Sequence, residues 1–255
     1  MIGAITAGLL SGGTVAVPTP PVSGYYLWFD PSQTSSLTSA GGYVSQMNDL
    51  SGNNLHVSTA LGTAYQPITG VDSKNGLNVL KWDQNQGSNG AQQGLSNNSG
   101  SFLSDPNLDF WVVKKHNLGP INSNSAFGIG NDQAGNGNIF YSFIDNGNSK
   151  LTDGVNGGKI FSTATQNGNW VISRFTKNGA AGEFFVNNTS QGTVSFNWNL
   201  PNSRIMVGAI GQGGATNSAV YSMQGDIGEI IVYKSQLNST NATSTYNYLK
   251  AKWGF

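Results

Sequence analysis

Apolar residues in this chain occur in short runs of about four to eight, each ended by a cluster of glycine, asparagine or serine. Examples are "NIFYSFI", "NWVISRFT", "GEFFVNN" and "SRIMVGAI". Asn146-Gly147 and Asn178-Gly179 supply residues that tolerate the positive φ of tight β connections. Short strands at this spacing, without intervening helices, predict an antiparallel sandwich or barrel.

A strand is predicted over 227–233, near the end of the chain. Side chains alternate between the two faces of a strand, so this spacing places Ile227, Ile231 and Tyr233 on the face of Glu229. Ile230 and Val232 are expected on the opposite face. Apolar residues on both faces predict that both sides of this strand are covered.

A helix is predicted after this strand, and it is the only helix that the pattern supports. Ser239 is expected to be its N-cap, with Tyr246, Leu249 and Trp253 along one side. Such an apolar stripe can cover an open edge or end of a sandwich.

The first twenty residues have a different pattern. Prolines at 18, 20 and 21 follow a glycine-broken apolar segment, and no Lys or Arg precedes Lys74, so a secretory leader is not favoured. A segment this short can bury its apolar side chains only on a partner. The sequence therefore predicts an N-terminal anchoring arm and connector over 1–20 and a sandwich domain over 21–255. The expected anchoring residues are Ile2, Ile5, Leu9 and Leu10.

Charge and composition exclude several classes of partner. Lys+Arg and Asp+Glu are both 12, so no basic excess is available for nucleic acid. No run approaches the roughly 20 apolar residues of a membrane helix, and no membrane partner is predicted. The absence of cysteine excludes disulfides and thiolate metal sites.

The acidic residues give little support to catalysis. The chain has only two glutamates, Glu183 and Glu229, and neither lies in the close carboxylate pair of a glycosidase. Asp226 and Glu229 are three residues apart, which on a regular strand places them on opposite faces. They are expected to face solvent or to accept hydrogen bonds at a strand end. From these residues we predict a protein that is not an enzyme.

Metal and histidine chemistry is equally sparse. His56 and His116 are expected to be surface or hydrogen-bonded loop residues, too far apart in sequence for a zinc motif. No cofactor is predicted, with calcium as the one candidate, because Asp83 and Asp132 lie in oxygen-rich segments. Neither segment follows the EF-hand pattern.

Six tryptophans are candidates either for the core or for stacking on sugars. Five lie in apolar runs, where core packing is expected. These are Trp28, Trp82, Trp111, Trp170 and Trp253. Trp198, in "SFNWNLPN", is the candidate for contact with a glycan.

Several segments together resemble a known superfamily. They are "LWFD", "MNDLSGNNLH", "LDFWVVKK", "GNWVISRF", "GEFFVNN" and the closing "GDIGEIIVYKSQLNSTNATSTYNYLKAKWG". The chain from about 25 to 255 is similar to the concanavalin A-like lectin/glucanase jelly roll, in its laminin-G-like branch. This resemblance implies an all-β, antiparallel two-sheet jelly-roll sandwich with a short C-terminal helix, preceded here by an extended N-terminal arm.

A narrower resemblance concerns the opener. "MIGAITAGL" with its proline-rich joint is similar to the leaders of tailed-bacteriophage virion proteins. It implies a non-enzymatic protein of the virion surface, such as a capsid decoration, head fibre or tail component. Expected partners are capsid, portal, tail or fibre proteins and copies of the same chain. The alternative is a carbohydrate-binding module, acting as a receptor-binding protein or a secreted adhesin on a cell-surface glycan.

Overall fold

The structure is a computed structural model of the chain, and it describes thirteen segments. They are residues 18–59, 62–83, 93–97, 107–117, 124–130, 139–145, 148–152, 159–160, 168–195, 204–208, 210–211, 219–220 and 223–255. The backbone alone is described for residue 83, for the strands between 124 and 160, and for residues 194, 204, 210–211 and 219–220.

The described residues form strands, two short 3-10 helices and one α-helix. The strands are β1 (Leu27–Phe29), β2 (Leu37–Ala40), β3 (Tyr43–Met47), β4 (Val57–Ser58), β5 (Ile68–Lys74), β6 (Leu77–Asp83), β7 (Leu95–Asn97), β8 (Asn107–His116), β9 (Asn124–Gly130), β10 (Ile139–Asp145), β11 (Asn148–Thr152), β12 (Lys159–Ile160), β13 (Trp170–Asn178), β14 (Ala181–Val186), β15 (Thr189–Ser195), β16 (Arg204–Val207), β17 (Ile210–Gly211), β18 (Ala219–Val220) and β19 (Gln224–Tyr233). The 3-10 helices are Thr34–Ser36 and Thr63–Tyr65, and the α-helix α1 is Ser239–Trp253.

The strands form two antiparallel layers. In the first sheet, β15, β14, β13, β8 and β19 lie side by side, and β19 then pairs with both β1 and β6. β5 follows β6 at this edge. The second sheet runs β2-β3-β4-β7-β16-β9-β10-β11-β12. The layers are linked where Tyr43 of β3 pairs with Ile68 of β5.

Apolar side chains from both sheets meet in one core. Phe110 and Ile230 of the first sheet pack in the same cluster as Val57, Leu95 and Ile205 of the second. The predicted all-β sandwich with a C-terminal helix is therefore confirmed. The predicted arm lies mostly in residues 1–17, outside the described residues.

A β-bulge in β19 changes which side chains share a face. The register of β19 against β8 shifts between Ile227 and Glu229, so Gly228 is an extra residue. As a result, Ile227 faces the inter-sheet core with Ile230, whereas Glu229 faces the opposite side. The predicted placement of Ile227 beside Ile231 and Tyr233 is wrong, because alternation was carried through the bulge.

α1 packs on the outer face of the first sheet, the face turned away from the second sheet. Its N-cap is Asn238, whose side chain accepts a hydrogen bond from the Asn241 N–H at 2.9 Å, one residue before the predicted cap. Gly254 ends it in the left-handed conformation. Leu249 and Trp253 are fully buried, as predicted, and Tyr246 is partly buried. The helix covers the middle of this face.

A buried polar cluster fixes α1 to the sheet. The Glu229 carboxylate accepts hydrogen bonds from Trp28 Nε1 at 2.8 Å and from Trp253 Nε1 at 2.8 Å. Tyr248 Oη donates to it at 2.9 Å, and Lys252 Nζ donates at 2.9 Å. A buried carboxylate with this many donors is well satisfied, so the cluster ties α1 to β19 and β1.

The chain before β1 also contacts this face. The Tyr248 hydroxyl oxygen lies 2.9 Å from the Pro18 carbonyl oxygen, and the Tyr233 hydroxyl donates to the Val22 carbonyl at 3.1 Å. The last residues of the predicted connector therefore lie against the sandwich, and the boundary at 20/21 stays a prediction. Within the described segments, no helix is long and apolar enough to cross a membrane.

Lys114 is a lysine whose side chain lies in the inter-sheet core. It is fully buried, and its cross-strand neighbours are Val171 and Ile227. Burial lowers the pKa of Lys114 to about 7. In the unfolded chain the lysine pKa is about 10.4. Between about pH 7 and pH 10.4 the unfolded state therefore binds more protons than the folded state.

We predict that stability rises with pH between 7 and 9.5, by at most about 1.4 kcal/mol per pH unit from Lys114. The window ends there because tyrosine ionises near pH 10 when exposed, whereas burial raises the pKa of Tyr233 to about 12. Thermal unfolding should show this slope in the natural chain and lose it in Lys114→Met. The exposed Lys250→Met is the control. An unchanged slope in Lys114→Met would contradict the assignment.

Candidate functional site

The residues singled out from the sequence do not come together in the described structure. Ile2, Ile5, Leu9 and Leu10, together with Trp198 and Asp132, lie outside the described residues. The backbone of Asp83 ends β6 and pairs with Gln224. The anchoring role, the Trp198 contact and the calcium ligands stay predictions.

At one end of the outer face of the first sheet, beyond the Trp253 indole, four neighbouring strands each contribute one residue to a row. The members of the row are directly opposed across the strands. Trp170 of β13 pairs with Lys115 of β8, Lys115 with Asp226 of β19, and Asp226 with Lys81 of β6. Directly opposed residues project to the same face of a sheet. We call Trp170, Lys115, Asp226 and Lys81 the cross-strand row.

Trp170 is the aromatic member of the row. It is partly exposed, unlike Trp82, Trp111 and Trp253, whose exposed fractions are 1%, 1% and 0%. Trp170 packs against the core cluster beneath α1, as predicted, but it is only partly buried. The sequence signal for this partial exposure is that Trp170 directly follows the polar segment "TQNGN". At the first residue of a strand, one side of the ring can remain exposed.

Asp226 is the buried member of the row. Its side chain is 1% exposed, and neither carboxylate oxygen accepts a hydrogen bond from the described residues. The Lys115 ammonium lies 3.4 Å from Oδ2, so it supplies charge at a distance too long for a strong hydrogen bond. Burial raises the pKa of Asp226, and Asp72 adds to the rise, whereas Lys115 and Lys81 oppose it.

Gly225 allows β19 to approach β8 closely at this point. Its φ is +138°, and a Cβ there would lie 1.9 Å from the Lys115 carbonyl oxygen. Any other residue would force the two strands apart. Glycine at 225 therefore holds Asp226 beside Lys115.

The bulge at Gly228 also corrects the predicted relation between the two acids of β19. Asp226 lies opposite Lys115, and Glu229 lies opposite Val113, two residues earlier on β8. Asp226 and Glu229 therefore share the outer face. Glu229 is buried and hydrogen-bonded rather than solvent-facing. Glu183, on β14, accepts a hydrogen bond from Ser190 Oγ at 2.6 Å.

The two histidines lie in different environments. His56 Nδ1 accepts a hydrogen bond from the Asp49 N–H at 3.0 Å, as expected for a hydrogen-bonded loop residue. His116 is instead the last residue of β8 and is 1% exposed, so its predicted loop position is wrong. No group of three or more histidine, aspartate or glutamate side chains that could hold a metal occurs within the described segments.

Comparison with known proteins gives likeness in structure alone. No family model matches the sequence, and no curated protein matches it. Trypanosoma rangeli sialidase, in complex with a difluorinated nononic acid, has a TM-score of 0.61 and 15% identity over 98% of this chain. The same enzyme with sialic acid gives a TM-score of 0.60 and 12% identity over 93%. The chain spans about a third of the length of these sialidases, 36% and 34% respectively.

A smaller structure is matched over most of its own length. The Ruminococcus gnavus IT-sialidase CBM40, bound to α2,3-sialyllactose, has a TM-score of 0.50 and 13% identity. The match covers 66% of this chain and 94% of that one. Together these structures support the β-sandwich fold, which is the coarser part of the expected resemblance.

The sialidases also correct the prediction that the chain is not an enzyme. That prediction rested on the absence of a carboxylate pair on one strand. The structures whose fold covers nearly the whole chain are of sialidases, one of them described as a covalent intermediate. The prediction is contradicted by these structures.

We predict that Asp226→Asn stabilises the protein at pH 7 by roughly 1 kcal/mol, because it removes a buried charge that lacks hydrogen bonds. Because the pKa of Asp226 is higher in the folded than in the unfolded chain, its protonation stabilises the fold below the unfolded pKa, near 3.9. This stabilisation is lost as the pH rises through the folded pKa. In Asp226→Asn, the free energy of unfolding measured by thermal unfolding should no longer show this decline. Glu183→Gln, on the same sheet face, is the matched control. A variant less stable than the natural chain would refute the assignment.

Proposed function

We propose that the protein binds a glycan at the cross-strand row. The observation that carries the proposal is that one row holds the partly exposed Trp170 and, beyond Lys115, the Asp226 carboxylate, which accepts no hydrogen bond from the described residues. Two lysines flank that carboxylate on the same face. A buried carboxylate left without donors costs stability, and such groups concentrate at functional sites.

Each member of the row has a chemical role in sugar binding. The indole of Trp170 offers an apolar face on which the C–H side of a sugar ring stacks. Asp226 accepts hydrogen bonds, and a sugar hydroxyl supplies the donor that the carboxylate lacks. Lys115 and Lys81 donate to ring hydroxyls or to an acidic substituent.

The solved structures suggest which glycans to test first. The Ruminococcus gnavus CBM40 is described as bound to α2,3-sialyllactose, and Trypanosoma rangeli sialidase is described with sialic acid. We therefore propose sialylated oligosaccharides as the starting class. Two lysines in the row, Lys115 next to Trp170 and Lys81 next to Asp226, are compatible with an anionic sugar.

The location of the protein stays a prediction of the sequence analysis. A place on a virion surface, attachment to capsid, portal, tail or fibre proteins, and self-association all depend on residues 1–20. A receptor-binding protein on a virion and a secreted adhesin are both compatible with a glycan site on the sandwich.

The test is a glycan array followed by calorimetry with the oligosaccharide that binds most tightly. Trp170→Ala should weaken binding roughly tenfold or more, since 1.4 kcal/mol of lost stacking is a factor of ten. Tyr43→Ala removes an aromatic residue that is 36% exposed on another strand and is the control. Binding that survives Trp170→Ala and Asp226→Asn unchanged would exclude this site. An array without any saturable binding would exclude the function.

A further inference from the structure

A lysine and two carboxylates are enclosed beneath α1. Lys252 Nζ lies 2.6 Å from Asp30 Oδ2 and 2.9 Å from Glu229 Oε2. The side chain of Lys252 is 2% exposed, and those of Asp30 and Glu229 are 0% exposed. Trp28, Trp253 and Tyr248 surround Glu229 through their own hydrogen bonds. An amine and a carboxyl group are thus held in contact, away from water.

We propose that Lys252 and Asp30 become joined by an isopeptide bond, formed by the folded protein itself with Glu229 as the proton shuttle. The bond would link Nζ of Lys252 to Cγ of Asp30. The glycan-binding proposal does not require this bond, so the two proposals are tested independently.

The reaction is a condensation that needs no co-reactant. Glu229 takes a proton from the Lys252 ammonium, and the free amine attacks Asp30 Cγ to form the C–N bond. The C–Oδ2 bond then breaks. Oδ2 leaves as water, with one proton returned by Glu229 and one lost from the attacking nitrogen. An ammonium and a carboxylate become one neutral amide and one water molecule.

The hydrogen bonds of Asp30 favour attack on its carboxyl carbon. Its Oδ1 accepts hydrogen bonds from the Ser32 N–H at 3.1 Å and from Ser32 Oγ at 2.6 Å. These two donors would stabilise the negative charge that develops on Oδ1 as nitrogen adds to Cγ. Oδ2, the leaving oxygen, is the atom that contacts Lys252.

The contacts of Glu229 suit the proton shuttle. Its Oε1 is held by Trp28 Nε1 and by Tyr248 Oη, and Oε2 is held by Trp253 Nε1 beside Lys252. The carboxylate is therefore fixed in orientation toward Nζ. Burial raises the pKa of Glu229, against the opposing effect of Lys252, and this favours proton transfer from the ammonium.

Burial also favours the product over the ion pair. The enclosed ammonium and two carboxylates carry a large desolvation penalty that their attraction offsets only in part. An amide removes the charges of Lys252 and Asp30, and reacting groups held in contact gain a high effective concentration. Water, which would reverse the reaction, is excluded from a cluster with so little exposed surface.

The intact mass of the purified, denatured chain tests the proposal directly. We expect a mass lower than that of the sequence by one water molecule. Trypsin should then leave Ala251–Phe255 attached to the peptide that contains Asp30, because an acylated Lys252 resists cleavage. A full mass in the natural chain overturns the proposal whether or not any variant folds.

Variants distinguish this bond from other losses of water, such as succinimide formation. Lys252→Arg keeps the charge but offers no primary amine, and it should show its full mass. Glu229→Gln removes the shuttle and should retain most molecules at full mass. A water loss that persists in Lys252→Arg, or a cross-linked peptide that maps to Glu229, would refute the assignment to Asp30.

Discussion

Four hydrogen-bond donors converge on the Glu229 carboxylate, and the architecture of the first sheet depends on that convergence. One donor comes from β1 and three come from α1, while Glu229 itself belongs to β19. The helix packs Ala242, Leu249 and Trp253 against the sheet, and the polar cluster adds a specific attachment to that packing. Because α1 is held there, it covers the middle of the outer face.

Local pattern was sufficient to predict the fold class. Alternating apolar runs predicted antiparallel strands, and the periodic stripe of Leu249 and Trp253 predicted a buried helix. The N-cap was displaced by only one residue because Asn238 and Ser239 are both good caps. These features depend on neighbours in sequence, which is why the sequence alone could indicate them.

The candidate site depends on neighbours that are distant in sequence. Lys81, Lys115, Trp170 and Asp226 are unremarkable in their own segments, and only the strand order places them in one row. Gly228 carries no signal that separates a bulge from a regular strand residue, yet it decides the face of Asp226 relative to Glu229. The local pattern therefore indicated Trp198 as the glycan contact and Trp170 only as a residue that packs in the core.

The length of β19 separates two ends of the sandwich. Val22, where the chain enters the sandwich, contacts Tyr233 at one end of this strand, and Asp226 lies seven residues away toward the other. At the rise of a strand this is roughly 20 Å. A body bound to the chain at Val22 itself would therefore lie at the end of the sandwich remote from the cross-strand row. The length of β19 would then separate that body from any ligand held at the row.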